Sequence, residues 1–176
     1  MISRVDEKID KVMIDAGLVY IDYGLETERL LGMCRGDNEL SVEIEIREVE
    51  ANGQKGKTKG ARRKITENAS LKVNLIDLSI ENLKIALPGS TLTVGKLENG
   101  WKISLEDYID NIVLIGKTMD DQYKKITLFN VLVDEALSLA LTEKDEAVVE
   151  MTLSAHYDPT DLDSKLWSIE DKEVLV

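Results

Sequence analysis

Apolar and polar residues alternate most regularly between Ser41 and Glu50, where Val42, Ile44, Ile46 and Val49 nearly interleave with Glu43, Glu45, Arg47 and Glu48. Successive strand side chains point to opposite faces, so this period predicts a strand with one buried face and one wet, charged face. The break at Glu48-Val49 predicts a bulge near the strand end. The same period returns over Ser70 to Ile76, with Leu71, Val73 and Leu75 inward, and over Ala147 to Tyr157, with Val149, Met151, Leu153 and Ala155 inward. Gly17 to Tyr23, Asp110 to Gly116 and Lys124 to Phe129 read as further strands, the last two joined through Met119-Asp120-Asp121. Thr91 to Leu97 and Trp101 to Leu105 flank Asn99-Gly100, a dipeptide that favours tight hairpin turns.

Helical spacing is confined to a few places. Ile2, Val5, Ile9, Val12 and Met13 recur at three and four residues, with Ser3 able to cap and Asp6 three residues on, which predicts a short amphipathic helix. Ser79 heads a second helix, with Glu81 in its first turn, an apolar stripe of Leu83, Ala86 and Leu87, and Pro88-Gly89 as the stop. Gly24 to Asp37 reads as a loop. Val131 to Leu141 fits either period, with Leu137, Leu139 and Leu141 alternating and Val131, Leu132 and Ala136 helically spaced. From Asp158 the period is lost and the chain reads as an extended surface tail. The expected fold is mainly β: a β-sandwich or barrel with one flanking helix (about 79–87), a long basic hairpin loop (about 51–64) and extended N- and C-terminal arms. The expected division is an arm over 1–14, a β-sandwich body over 15–157 and an arm over 158–176.

Charge changes this picture by its distribution. The 176 residues hold 22 basic and 34 acidic side chains, a net of −12, with one histidine and one cysteine. A lone Cys34 excludes an intramolecular disulfide, and one cysteine with one histidine makes no zinc site. No apolar run approaches the ~20 residues of a membrane span, and the first residues lack a signal-peptide core, so an acidic, soluble protein of a reducing cytoplasm is expected. Yet Gly53 to Lys64 (GQKGKTKGARRK) carries Lys55, Lys57, Lys59, Arg62, Arg63 and Lys64 and no acid, which leaves the rest of the chain at −18. Just upstream, Asp37, Glu39, Glu43, Glu45, Glu48 and Glu50 face a single Arg47. Such a loop is either a solvated hairpin tip or a docking arm for an acidic surface. Nucleic acid is one such surface, but a net of −12 opposes general affinity for it. Another copy of the same acidic chain is the better match.

Candidate chemistry is sparse. His156 has no serine or cysteine motif around it and reads as structural or interfacial. Cys34 lies beside Arg35, whose charge would lower its pKa slightly, and with no second element it reads as an inert thiol. Asp158-Pro-Thr-Asp161-Leu-Asp163 lacks the glycine and closing glutamate of a calcium loop. Gly56-Lys57-Thr58 sits in a strand hairpin, and the first glycine of a phosphate-binding loop would have to fall at Ala51. No catalytic residue, metal ligand or cofactor is assigned, and an enzyme is not expected.

The run GKTKGARRKITENASLKVNLIDLSIENLKIALPG, Gly56 to Gly89, resembles the tail tube, or major tail, proteins of tailed bacteriophages. So do Asp15 to Gly24, the acidic strand Ser41 to Glu50, and Glu146 to Asp158, in the family's order over roughly residues 15 to 163. The first fourteen and last thirteen residues carry no such resemblance. The resemblance implies a β-sandwich or barrel with one flanking helix, assembled as hexameric rings stacked into a hollow tube through which the genome passes without specific binding. It implies that the basic hairpin (Lys55, Lys57, Lys59, Arg62, Arg63, Lys64) reaches a neighbouring ring. Glu43, Glu45 and Arg47 would then face the lumen, and Leu162, Leu166, Trp167 and Ile169 would be anchors between subunits. Further implied partners are the tape measure, tail terminator and baseplate or tip proteins, and the implied location is the virion tail, built in the host bacterial cytoplasm. A tube of a phage-derived contractile bacteriocin-like particle shares these features. The readings from other classes are a nucleic-acid-binding module and a non-polymerising acidic β-sandwich that binds a protein.

Overall fold

A computed structural model describes residues 17–50, 52–53, 55–135, 137–139, 147–161 and 163–172. The helix predicted over 2–14, the turn at 143–146, and Leu141 and Leu162 lie outside these residues. In chain order the elements are β1 (Leu18–Ile21), β2 (Arg29–Leu30), β3 (Glu39–Glu48), β4 (Arg62–Leu75), α1 (Ile80–Ala86), β5 (Thr91–Thr93), β6 (Lys96–Glu98), β7 (Ile109–Lys117), β8 (Tyr123–Val133), β9 (Val149–Ala155) and β10 (Trp167–Lys172). The fold is mainly β, β-sandwich-like, with a single α-helix and antiparallel pairing.

The main sheet runs β2-β1-β7-β8-β9-β4-β3, with β10 also paired to β8. Strand β8 changes partners along its length. Its first part, Tyr123 to Leu128, lies between β7 and β10, while Val131 to Val133 pairs with β9. The change falls at Asn130, whose φ of +49° puts it in the left-handed region where asparagine is tolerated. His156 secures this corner: its amide donates to Asn130 O (3.1 Å), its ring Nδ1 lies 3.1 Å from the same oxygen, and Asn130 Nδ2 donates to His156 O (3.3 Å). Tyr108 meets the imidazole edge-on at 5.2 Å.

The core lies between the inner faces of the two halves. Leu71, Val73 and Leu75 of β4 face Val149, Met151 and Leu153 of β9, and join Val19, Ile112, Leu114, Leu128 and Val131 in one buried cluster. Each such side chain contributes ~1.5–3 kcal/mol over its exposed state, so period-two alternation pins the register of these strands. Helix α1 docks through a polar residue. Asn82 is buried, donating to Leu31 O (2.7 Å) and Asp77 O (3.3 Å) and accepting from Arg29 (2.9 Å).

Several expectations are corrected. Strand β4 begins at Arg62 rather than Ser70, so Arg62, Arg63 and Lys64 are strand residues and the loop is shorter than 51–64. The bulge is between Glu45 and Ile46, where β4 holds the extra residue Ile65, and not at Glu48-Val49. Only the root of β3 has a partly covered face; Ile44 and Ile46 are exposed. Ser79 stands at the cap of α1 but its side chain makes no capping bond; Asp77 Oδ1 instead accepts the Ser79 amide at 3.0 Å. Leu87, at the helix end, is exposed. Thr91–Thr93 pairs with Lys96–Glu98 around Val94-Gly95, so Asn99-Gly100 is not the turn and Trp101 to Leu105 is not a strand. Gly100 is needed because the Gly89 carbonyl occupies the place of any Cβ. Residues 131–133 extend β8, Leu139 bridges Val149, and the tail beyond Asp158 is not aperiodic but supplies β10.

Candidate self-association surface

The β3–β4 hairpin leaves the body as an arm. Its root is held by Leu71 and Val73, buried in the core, but the neighbouring strand β9 pairs with β4 only from Ser70 onward. Beyond Glu67, where the Trp167 indole still reaches the arm, the two strands have each other and solvent. Ile44, Ile46 and Ile65 are half exposed, and Val49 at the arm's end is 59% exposed. Strand β3 pairs with β4 alone, so among the described residues no strand lies beside its outer edge over all ten residues, and alternate residues turn their backbone N–H and C=O outward. Such an edge invites another strand unless it is covered.

The sequence-predicted charges divide over this arm. Glu43, Glu45 and Arg47 alternate along β3 and share one exposed face, opposite Asn68, Thr66 and Arg63. Thr66 donates to Glu45 at 3.1 Å. Lys55, Lys57 and Lys59 lie exposed on the connecting loop, which closes where the Val49 amide meets Ala61 O at 2.7 Å. Arg62 reaches Glu48 at 3.9 Å, a long surface pair of little energetic weight. Lys64 bonds Glu67 near the arm's root. That ammonium holds Glu67 below the usual carboxylate range, helped by the Trp167 indole, whose Nε1 donates to Glu67 at 3.2 Å.

Leu166 and Trp167 are placed differently from the other predicted contact residues. Leu166 is buried in the core of its own subunit, and Trp167 packs partly buried against that core while its indole ties β10 to the arm root. Ile169 of β10 is half exposed. Cys34 is half buried beside Leu75, and burial raises its pKa, the reverse of the lowering expected from Arg35.

Sequence reasoning missed a second exposed apolar area. Val94, Trp101 and Leu105 stand almost wholly in solvent beside the β5–β6 hairpin, with Ile103 half exposed. The signal lay in Trp101, a large aromatic flanked by Gly100 and Lys102 with no strand partner to cover it. Among the described residues no group of His, Cys, Asp or Glu is set to hold a metal ion, and no helix is long and apolar enough to cross a membrane.

No family model and no curated protein matches the chain. Among solved structures it is similar to the tail of an empty GTA particle, determined by helical refinement with C6 symmetry, at 12% identity and a TM-score of 0.47, covering 81% of this chain and 92% of that one. It is similar to a chain from the virion of a native gene transfer agent particle at 12% identity and a TM-score of 0.48, covering 88% and 95%. It is also similar to an Hcp protein in a crystal structure, at 10% identity and a TM-score of 0.33, covering 79% and 87%.

Proposed function

We propose that this chain is a structural subunit of a phage-type tail tube, a non-enzyme that assembles as stacked hexameric rings into a conduit for the genome. The observation that carries this reading is the β3–β4 arm: ten residues of free strand edge, with Ile44, Ile46, Val49 and Ile65 uncovered, on a chain that otherwise builds a closed core. A surface of that kind favours cover by another chain. In the assembled tube the sheets join edge to edge around the ring. The face bearing Glu43, Glu45 and Arg47 turns to the lumen, where carboxylates repel DNA phosphates and keep the genome sliding. The body over 15–157, joined by β10 from the following segment, carries the ring, and the arm over 1–14 clasps a neighbour; the tape measure, terminator and tip proteins meet the ends of the tube in the virion tail.

Negative-stain electron microscopy of the purified protein over a concentration series tests this. Stacked rings with a central channel are expected. A protein that stays monomeric at high concentration, with an assembly initiator supplied, overturns the proposal in favour of a monomeric binding module.

A further inference from the structure

Two of the chain's asparagines, Asn52 and Asn99, are followed by glycine. In that dipeptide the main chain can attack the asparagine side chain, because glycine has no Cβ to shield its amide nitrogen and lets the backbone turn into the closing geometry. Both asparagines are exposed, yet the fold treats the two glycines differently.

Gly53 lies in the turn that follows β3, at φ +91°, with open space where a Cβ would stand. Neither Asn52 nor Gly53 is bonded to another described residue. The connection is tied at its base, where the Val49 amide donates to Ala61 O at 2.7 Å, and that bond leaves the Asn52-Gly53 peptide free to rotate. Lys55 and Lys57 follow closely and are exposed; their charge favours the deprotonated form of a nearby amide nitrogen, which is the attacking form.

Gly100 is pinned. A Cβ on it would stand 1.9 Å from Gly89 O, so its main chain is backed against the turn that ends α1. That turn is itself packed, since a Cβ on Gly89 would stand 3.2 Å from Lys102 O. Swinging the Gly100 nitrogen onto the Asn99 side chain would pull Gly100 out of this packing.

We infer that Asn52 is a site of spontaneous covalent modification, deamidating in the folded protein while the packing of Gly100 holds Asn99 back. The Gly53 amide gives its proton to solvent base and its nitrogen bonds to Asn52 Cγ. The bond from Cγ to the side-chain nitrogen breaks, and that nitrogen leaves as ammonia after taking a proton from water. Water then opens the cyclic imide. Opening at the side-chain carbonyl leaves aspartate; opening at the main-chain carbonyl leaves isoaspartate, whose chain runs through Cβ. Either product sets a carboxylate beside the lysines of the arm, and it accumulates with the age of each copy whether or not the chain assembles.

Incubating the purified chain at mildly alkaline pH, with peptide mapping over time, tests this. Trypsin releases Asn52 on Glu48–Lys55 and Asn99 on Leu97–Lys102, each the sole asparagine of its peptide. In the folded chain Asn52 is expected to convert about tenfold faster than Asn99 or more, and in guanidinium, where Gly100 is released, the two rates are expected to converge. Gly53→Ala is expected to slow conversion of Asn52 about tenfold, with thermal melting as the check that the variant is folded. Equal rates in the folded chain, or conversion of Asn52 only after unfolding, overturn the inference. So does a rate difference that persists in guanidinium, since it would come from local sequence and not from the fold, and so does a folded Gly53→Ala chain that converts like the parent.

Discussion

The exposed isoleucines of the arm allow a quantitative test of the assembly reading. Ile44 is 50% and Ile46 is 55% exposed in the isolated chain, so about half of each side chain remains to be covered by a partner. Full burial of an isoleucine is worth ~1.5–3 kcal/mol, so the unburied halves represent ~1 kcal/mol each, or ~2 kcal/mol per subunit contact. Replacing both by threonine keeps the β-branched shape and strand preference while removing most of that gain. Because 1.4 kcal/mol is a factor of ten, the critical concentration for assembly should rise about thirty-fold. The same change should lower the stability of the monomer by less than ~1 kcal/mol, since it touches no fully buried side chain. Pelleting over a dilution series measures the first quantity and urea unfolding below the assembly threshold the second. An unchanged critical concentration would show that the arm is not covered on assembly. A loss of more than ~3 kcal/mol from the monomer would show that these residues belong to its core.

Asp107 supplies a test of the helix anchor. Burial alone would raise its carboxyl, but the Lys84 ammonium at 2.6 Å and the Ser104 amide and hydroxyl hold it at about 2 against an ordinary 3.8. With the folded value depressed, its stabilisation is complete above the unfolded value and is lost as pH falls from ~4 towards ~2. Asp107→Asn should therefore cost on the order of 2 kcal/mol in urea unfolding at neutral pH and almost nothing near pH 2; a penalty independent of pH would sink the assignment. Gly32 has a φ of +131°, and a Cβ there would sit 2.7 Å from Asp77 Cβ, so Gly32→Ala should lose more than ~1 kcal/mol of stability by the same assay. Cys34, its pKa raised by burial, should react with a thiol reagent more slowly than free cysteine at pH 8 and catch up in denaturant; equal rates in the folded protein would contradict its placement.

The strands that pack on both sides of the core were legible because burial writes a period. Leu71, Val73 and Leu75, or Val149, Met151 and Leu153, are apolar at every second position since a one-residue slip would expose them all. The helix was legible through its stop, Pro88-Gly89, though not through Asn82, a polar residue whose bonds come from Arg29 and Leu31 far away in sequence. The distal half of β4 was hidden for the converse reason. With both faces wet, ITEN at Ile65 to Asn68 has no alternation to display. Strand β3 shows a subtler limit: its alternation correctly marks a strand but says nothing of what covers Ile44 and Ile46. The hairpin at Val94-Gly95 was displaced to Asn99-Gly100 because turn chemistry alone does not distinguish a glycine needed for φ, such as Gly95 at +71°, from one needed for close approach to Gly89. The candidate surface was legible in its charges and illegible in the exposure of its isoleucines, which depends on where β9 stops pairing with β4.

The pairing of β4 with β9, β1 with β7 and β8 with β10, each far apart in sequence, sets an order of events during synthesis. The β3–β4 ladder is local, closed by one loop between Val49 and Ala61, and can form as soon as Leu75 is made. The body cannot: Leu71 waits for Leu153, Val19 for Leu114, and Leu128 for Trp167. A growing chain therefore presents this half-exposed hairpin well before it owns a folded body. Glu43, Glu45 and Arg47, set between the isoleucines, keep that early hairpin charged along one face, the pattern that opposes edge-to-edge pairing of exposed strands.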